Sequence, residues 1–291
     1  MVQAQLDHTH FTRTGKGPTL VFLHGAYIDS TFWEHQIEPF SAAFEVINLD
    51  LPSHGKSAPE SVEEYSVAYY SEWVISALDQ IGVKDFAVVG LSLGAMIAQC
   101  LGARYPARVK AIVLIGGSVS MQHTWLEKVV LSFIFPKPVA MWLFGQLTTR
   151  QFLKLSFMLT WFMRGNQWLG EPYTRKRIRA SIGSISRPEI KKIYAAVHTF
   201  RKQDIERGSF PVLMINGQYD SPLIHFHARS QKRRLGNRCD IMKVPNTGHG
   251  CNYDRPELFN QMVMEWLRYK SLETSIEQES AQLNLPKQVV L

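Results

Sequence analysis

Short apolar runs alternate with stripes of helical period over most of this chain. Residues 19–23, 45–49, 86–89, 111–115, 212–216 and 240–244 are brief, rich in Val, Ile, Leu and Phe, and bounded by turn residues, as strands buried in a parallel sheet should be. A further strand is expected at 8–13, before the turn Gly15-Lys16-Gly17-Pro18. Between the runs, Val67, Tyr70, Val74, Ala77, Leu78 and Ile81 recur at helical spacing and predict a helix over 67–81, closed by Gly82. Other helices are expected after residue 94 as far as Arg104, over 226–235 and over 256–269. The fold class is therefore α/β: a mostly parallel central sheet flanked by helices, with its functional sites at the carboxyl ends of the strands.

The alternation breaks once. Residues 118–207 predict helices only and are crowded with aromatic rings, among them Trp125, Trp142, Phe144, Phe152, Phe157, Trp161, Phe162 and Trp168. A core over 1–117 and 208–270, a helical cap inserted at 118–207 and a polar, loosely held tail over 271–291 describe that pattern.

Composition narrows the class. A chain of 291 residues, 45% hydrophobic, can bury one large core. Cys100, Cys239 and Cys251 are too few and scattered for a disulfide framework or a zinc site, and neither a signal peptide nor a membrane span is apparent, so a reduced, cytoplasmic protein is the simplest expectation. The net charge of +7 is uneven: residues 118–207 hold 15 of the 32 basic residues but only 5 of the 25 acidic ones. That stretch carries no nucleic-acid-binding motif, so no nucleic-acid partner is expected. Its basic residues, interleaved with rings, fit either a peripheral membrane contact or a substrate lid. The lid is preferred, because a cap must bury one face on the sheet edge in any case.

The candidate chemistry begins at Gly90-Leu91-Ser92-Leu93-Gly94, between a buried strand and a helix. Such a tight strand-to-helix turn holds its serine in a strained conformation, exposed, beside a helix N-terminus that favours developing negative charge. A serine needs a base, and the base an orienting carboxylate. Asp220, past the 212–216 run, and His249, in Thr247-Gly248-His249-Gly250 past the 240–244 run, are the candidates. Asp220 capping the next helix, and Asp254 serving as the acid instead, are the competing assignments. His225-x-His227 has metal-like spacing without a third ligand, so no metal or other cofactor is expected.

Serine, acid, histidine is the chain order of the α/β-hydrolases, and the chain resembles them. Gly90 to Gly94 resembles their nucleophile elbow, His24-Gly25-Ala26-Tyr27 their oxyanion-side turn, and Gly217 to Asp220 and Gly248-His249 their acid and base turns. Asp50-Leu51-Pro52-Ser53-His54-Gly55-Lys56-Ser57 is similar to their D-x-P-G-x-G-x-S loop, departing from it at Ser53-His54. The match spans about residues 15–117 and 208–269, while the cap resembles nothing identifiable.

The resemblance implies that Ala26 and Leu93 supply the backbone N–H groups of an oxyanion hole. It implies a serine hydrolase of carboxylic esters, and the aromatic cap suggests apolar acyl or aromatic groups, a lipid-like or lactone substrate being among the candidates. His24 and Tyr27 beside the turn, with Trp142, Phe157 and Trp161 of the cap, are the candidate substrate contacts, although for His24 bracing the turn is the preferred reading over reacting. Relatives that alkylate a carboxylate carry aspartate at the elbow, so serine argues for acyl transfer. The alternatives are a ligand receptor with slow turnover, or a cofactor-free lyase, haloperoxidase or carbon–carbon hydrolase using the same triad.

Overall fold

The computed structural model describes residues 2–6, 9–120, 142, 146, 151, 154, 158 and 167–282. Their strands are β1 (Val2–Leu6), β2 (Thr9–Thr14), β3 (Thr19–Leu23), β4 (Glu45–Leu49), β5 (Phe86–Leu91), β6 (Val109–Ile115), β7 (Val212–Gly217) and β8 (Cys239–Val244). They form one eight-stranded sheet in the order β1-β2-β4-β3-β5-β6-β7-β8. From β4 to β8 every neighbouring pair is parallel, while β1 and β2 add an antiparallel edge.

Successive strand residues point to opposite faces, and here both faces are buried. Val21, Leu23, Val88, Ile112 and Leu114 join the apolar cluster on one side; Leu20, Phe22, Val89, Val113 and Ile115 join that on the other. The first face is covered by helices α2 (Val67–Gln80) and α3 (Leu93–Arg104). The second is covered by α1 (Glu34–Ser41), through Phe40, and by the long final helix, through Phe259, Val263 and Trp266. Each large side chain so buried contributes roughly 1.5–3 kcal/mol, an upper estimate for a compact unfolded chain.

Within 167–207 the described residues form α4 (Pro172–Gly183), α5 (Arg187–His198) and a 3₁₀ turn, Ile205–Arg207, with no strand, as the pattern predicts. The helices then continue with α6 (Pro222–Leu235), the short α7 (Cys251–Asp254) and α8 (Pro256–Gln282). Phe157 and Trp161 lie outside the described residues, whereas Trp142 is described and is 63% exposed.

Three elements differ from expectation. Helix α1 has no clear sequence signature, because Pro39 lies within it and only Gln36 and Phe40 are buried. Helix α6 starts at Pro222 rather than 226, since the Ser221 hydroxyl accepts from the Leu223 N–H and a proline suits the first turn. Helix α8 runs to Gln282, past the expected end at 269, because 270–282 contains neither Gly nor Pro and is rich in helix formers.

Register fixes which loops meet at the carboxyl edge. Leu23 pairs with Gly90, Leu91 with Ile115 and Gly217 with Val244, so the chain leaves β3, β5 and β6 side by side, and β7 and β8 likewise. Helix α3 lies directly on this edge: a Cβ at Gly94 would sit 2.1 Å from the Leu23 carbonyl oxygen. Backbone on both sides cannot yield cheaply. Gly94→Ala is therefore expected to lower stability by about 2 kcal/mol or more, read as a fall in the urea midpoint at unchanged slope.

Candidate active site

The turn between β5 and α3 holds Ser92 at φ 51°, ψ −104°, a conformation that costs a non-glycine residue on the order of 1–3 kcal/mol. The strands hold it there: the Ser92 N–H donates to the Ile115 carbonyl at 2.8 Å, and its own carbonyl accepts from the Met96 N–H at 3.1 Å. Leu93 is the first residue of α3, so its N–H has no intrahelical acceptor. The oxyanion-side turn lies against the serine, since a Cβ at Gly25 would be 3.4 Å from Ser92 Cβ.

The candidate acid and base meet beyond the last two strands. Asp220 follows β7, with its carboxylate wholly buried, and His249 lies in the loop between β8 and α7. The His249 Nδ1–H donates to Asp220, at 3.0 Å from Oδ2 and 3.2 Å from Oδ1, which leaves Nε2 as the nitrogen free to take a proton. Oδ1 also accepts from the Ser221 N–H at 2.7 Å and from the Trp168 indole N–H at 2.9 Å. Burial alone would raise the Asp220 pKa. The charge of His249 and these hydrogen bonds outweigh it and hold the carboxyl below its ordinary range, hence ionised.

Contact with the strand ends places the imidazole. A Cβ at Gly116 would sit 2.3 Å from His249 Cε1, so the ring rests on the end of β6, one residue past the carbonyl that fixes Ser92. The geometry pairs His249 with a buried aspartate and rests its ring on the end of β6, the strand whose Ile115 carbonyl fixes Ser92.

Residues 18–256 match the alpha/beta hydrolase fold family, and that is most of the chain. The chain belongs to this family. Its distant relatives are esterases and other hydrolases. It is 24% identical over 282 residues to the uncharacterized carboxylesterase nap of Bacillus subtilis, covering 94% of this chain and 87% of that one. To the (E)-2-((N-methylformamido)methylene)succinate hydrolase of Acinetobacter baylyi it is also 24% identical, over 268 residues, 89% of this chain and 93% of the relative. Among solved structures, MenH from S. aureus superposes with a TM-score of 0.77 at 20% identity, over 91% of this chain and 100% of that one, a likeness of fold.

Within this family member, buried polar residues of the two loops hold the site in shape. Asp50 is a hub, its carboxylate accepting from the Ser30 N–H at 2.7 Å, the Lys56 N–H at 2.9 Å and His10 Nδ1 at 3.0 Å. Two buried histidines then join the 50–57 loop to the 24–27 turn. His24 donates from Nδ1 to the Gly25 carbonyl at 2.8 Å and accepts at Nε2 from the Leu51 N–H at 3.0 Å. His54 donates from Nδ1 to the Pro52 carbonyl at 2.8 Å and accepts at Nε2 from the Tyr27 N–H at 3.2 Å. His24 is wholly buried and both its ring nitrogens are engaged by backbone, so it braces the turn and offers no nitrogen to a substrate. Tyr27, at φ 66°, is half-buried against the core beside the turn.

Ser53-His54, the departure from the family's loop, has a structural use. Ser53 sits at φ 67°, where glycine is usual, and its hydroxyl bonds the Tyr65 hydroxyl at 2.8 Å and the Glu189 carboxylate of α5. A glycine could not tie that loop to α5. Asp254 is no alternative acid: Oδ2 accepts from the Gly248 N–H at 2.9 Å, and Oδ1 from the Glu171 N–H at 3.0 Å and the Thr174 hydroxyl at 2.6 Å. It pins the base loop to α4 instead. His227 Nδ1 accepts from the Val119 N–H at 3.2 Å, and among the described residues no three His, Cys, Asp or Glu side chains cluster as a metal would require. No helix of the described residues is long and apolar enough to cross a membrane.

Burial, then the charge of neighbouring His24, pushes the His54 pKa down to about 3, and burial lowers that of His24. Unfolded, a histidine titrates near 6.5. Between those values the unfolded chain binds the extra proton, so stability falls as pH falls through this window. His54 alone is expected to remove about 2 kcal/mol between pH 7 and pH 5. His54→Gln, which keeps an acceptor for the Tyr27 N–H, should lose correspondingly less over that interval in urea titrations at the two pH values.

Proposed function

We propose that the protein is a serine hydrolase that cleaves carboxylic esters through an acyl-enzyme. Ser92 Oγ attacks the ester carbonyl while His249 Nε2 takes its proton, and the charge that develops on the carbonyl oxygen is held by the Ala26 and Leu93 N–H groups. The tetrahedral intermediate collapses as the imidazolium returns the proton to the departing alkoxide, leaving the acyl group on Ser92. Water then attacks with His249 again as base, which releases the acid and the free enzyme. Asp220 keeps the imidazole in the Nδ1–H tautomer and offsets its charge.

The observation that carries this reading is the buried, ionised Asp220 bonded to a histidine lying on the strand end beside an elbow serine. Each oxyanion donor would contribute about 3–4 kcal/mol to the transition state. Serine at the elbow favours acyl transfer over alkylation, and the carboxylesterase relative accords with that. The aromatic 118–207 segment serves as a cap over the edge and suits an apolar acyl chain or ring, with Tyr27, Trp142, Phe157 and Trp161 as its substrate contacts.

The test is turnover of p-nitrophenyl esters of increasing acyl length, with mass spectrometry of the quenched protein. Many turnovers per molecule are expected, with a transient acyl adduct on Ser92. Ser92→Ala should lower kcat by about 10⁴-fold or more without unfolding the chain. A single turnover with a lasting adduct would instead describe a receptor.

A further inference from the structure

Trp168 makes three separate contacts with the acid and base, although it lies far from both in sequence. Its indole N–H donates to Asp220 Oδ1 at 2.9 Å. Its ring stacks on the His249 imidazole, with centroids 5.1 Å apart and planes 28° apart. Its carbonyl accepts the His249 N–H at 2.7 Å. The approach is close throughout: a Cβ at Gly248 would lie 2.4 Å from the carbonyl oxygens of both Gln167 and Trp168.

We infer that Trp168 is a positioning residue of the triad, holding the Asp220 carboxylate and the His249 ring in register from outside the α/β core. The inference rests on the triad proposed above. Oδ1 of Asp220 takes both the indole and the Ser221 N–H, so Oδ2 makes the shorter contact with His249, 3.0 Å against 3.2 Å. The donor thus decides which oxygen orients the base, and the stacked face decides the plane in which the imidazole can lie. Because the same residue also holds the His249 backbone, any displacement of 167–170 moves base and acid together. The other titratable groups packed round the pair are Asp254 and Cys251 of α7 and His225 of α6, whose electrostatic neighbour is Asp220.

Trp168→Phe keeps a ring to stack and removes only the donor. On p-nitrophenyl acetate, kcat should fall about tenfold with KM within about twofold, since a misplaced base weakens the transition state and not ground-state binding. The acid limb of the kcat/KM profile should move up by about half a pH unit, because losing a donor leaves more negative charge on the carboxylate facing the imidazolium. His249, followed by NMR of the imidazole protons in the free protein, should shift in the same direction. Trp266→Phe is the control, as it removes a comparable indole bond (to Asp240 Oδ2, 2.8 Å) away from the site, and should leave both profiles unchanged. If Trp168→Phe matches the wild type and this control in kcat, in pH profile and in the His249 titration, the inference is overturned. If the wild type cleaves no ester, the proposed reaction fails, and the His249 titration alone still decides the role of Trp168.

Discussion

The site depends on one contact between main chains: α3 packed on the ends of β3 and β5 with no side chain between them. Gly94 lies so near the Leu23 carbonyl that a single Cβ would overlap it. Bringing the helix that close leaves one residue, Ser92, to reverse the chain, and it does so at positive φ. The strain is sustained because both flanking elements are buried, Leu93 and Val89 without any exposure. The same closeness sets the helix N-terminus over the edge where β3 ends, so the first N–H of α3 and the turn after β3 lie on either side of the serine. Had the helix stood off by the width of a side chain, the Leu93 N–H and the turn after β3 would have been drawn apart.

Burial acts in opposite directions on the charged groups around this edge. Asp220 is buried and stays ionised, because His249, the Ser221 N–H and the Trp168 indole all turn positive ends toward it. His24 and His54 are buried and stay neutral, because each is engaged by a backbone carbonyl and a backbone N–H, an arrangement that only a neutral imidazole completes. The first arrangement supplies a negative charge to the base. The second supplies a rigid, uncharged brace for the turn that would bind the oxyanion, at the cost of acid tolerance. Two imidazoles 4.9 Å apart could not both be charged there.

These arrangements were legible in the sequence to unequal degrees. The elbow, the parallel strands, Asp220 and His249 could be read directly, because each lies beside an apolar run whose end marks the sheet edge. Helix α1 was hidden by Pro39 and by a face that buries two residues only. The parts that Trp168 and Asp254 play, the latter read only as a competing acid, were illegible for a different reason. Trp168 stood among many aromatics in an aromatic stretch, and Asp254 among ordinary helix-starting residues; their importance comes from long-range contacts with no local period or motif. Ser53 and His54 were visible as departures from a loop pattern, but their use required Glu189 and Tyr27, which are distant in sequence, to be placed beside them.

The long-range contacts share one feature. Glu189 reaches Ser53, Asp254 joins Thr174 to Gly248, Arg177 and Ser181 bond Asp29, and Trp168 bonds Asp220. Every one runs from the 167–207 segment to a loop at the carboxyl edge, and together they touch the 24–30 turn, the 50–57 loop, the acid turn and the base loop. A segment attached by apolar packing alone could slide over the edge with little loss, since dispersion contacts are non-directional. Hydrogen bonds to buried and half-buried carboxylates are directional and costly to leave unmade, so these bonds define one seated position. The loops at the carboxyl edge and the 167–207 segment are therefore mechanically joined, and a change that reseats the segment moves Asp220 and the His249 loop with it.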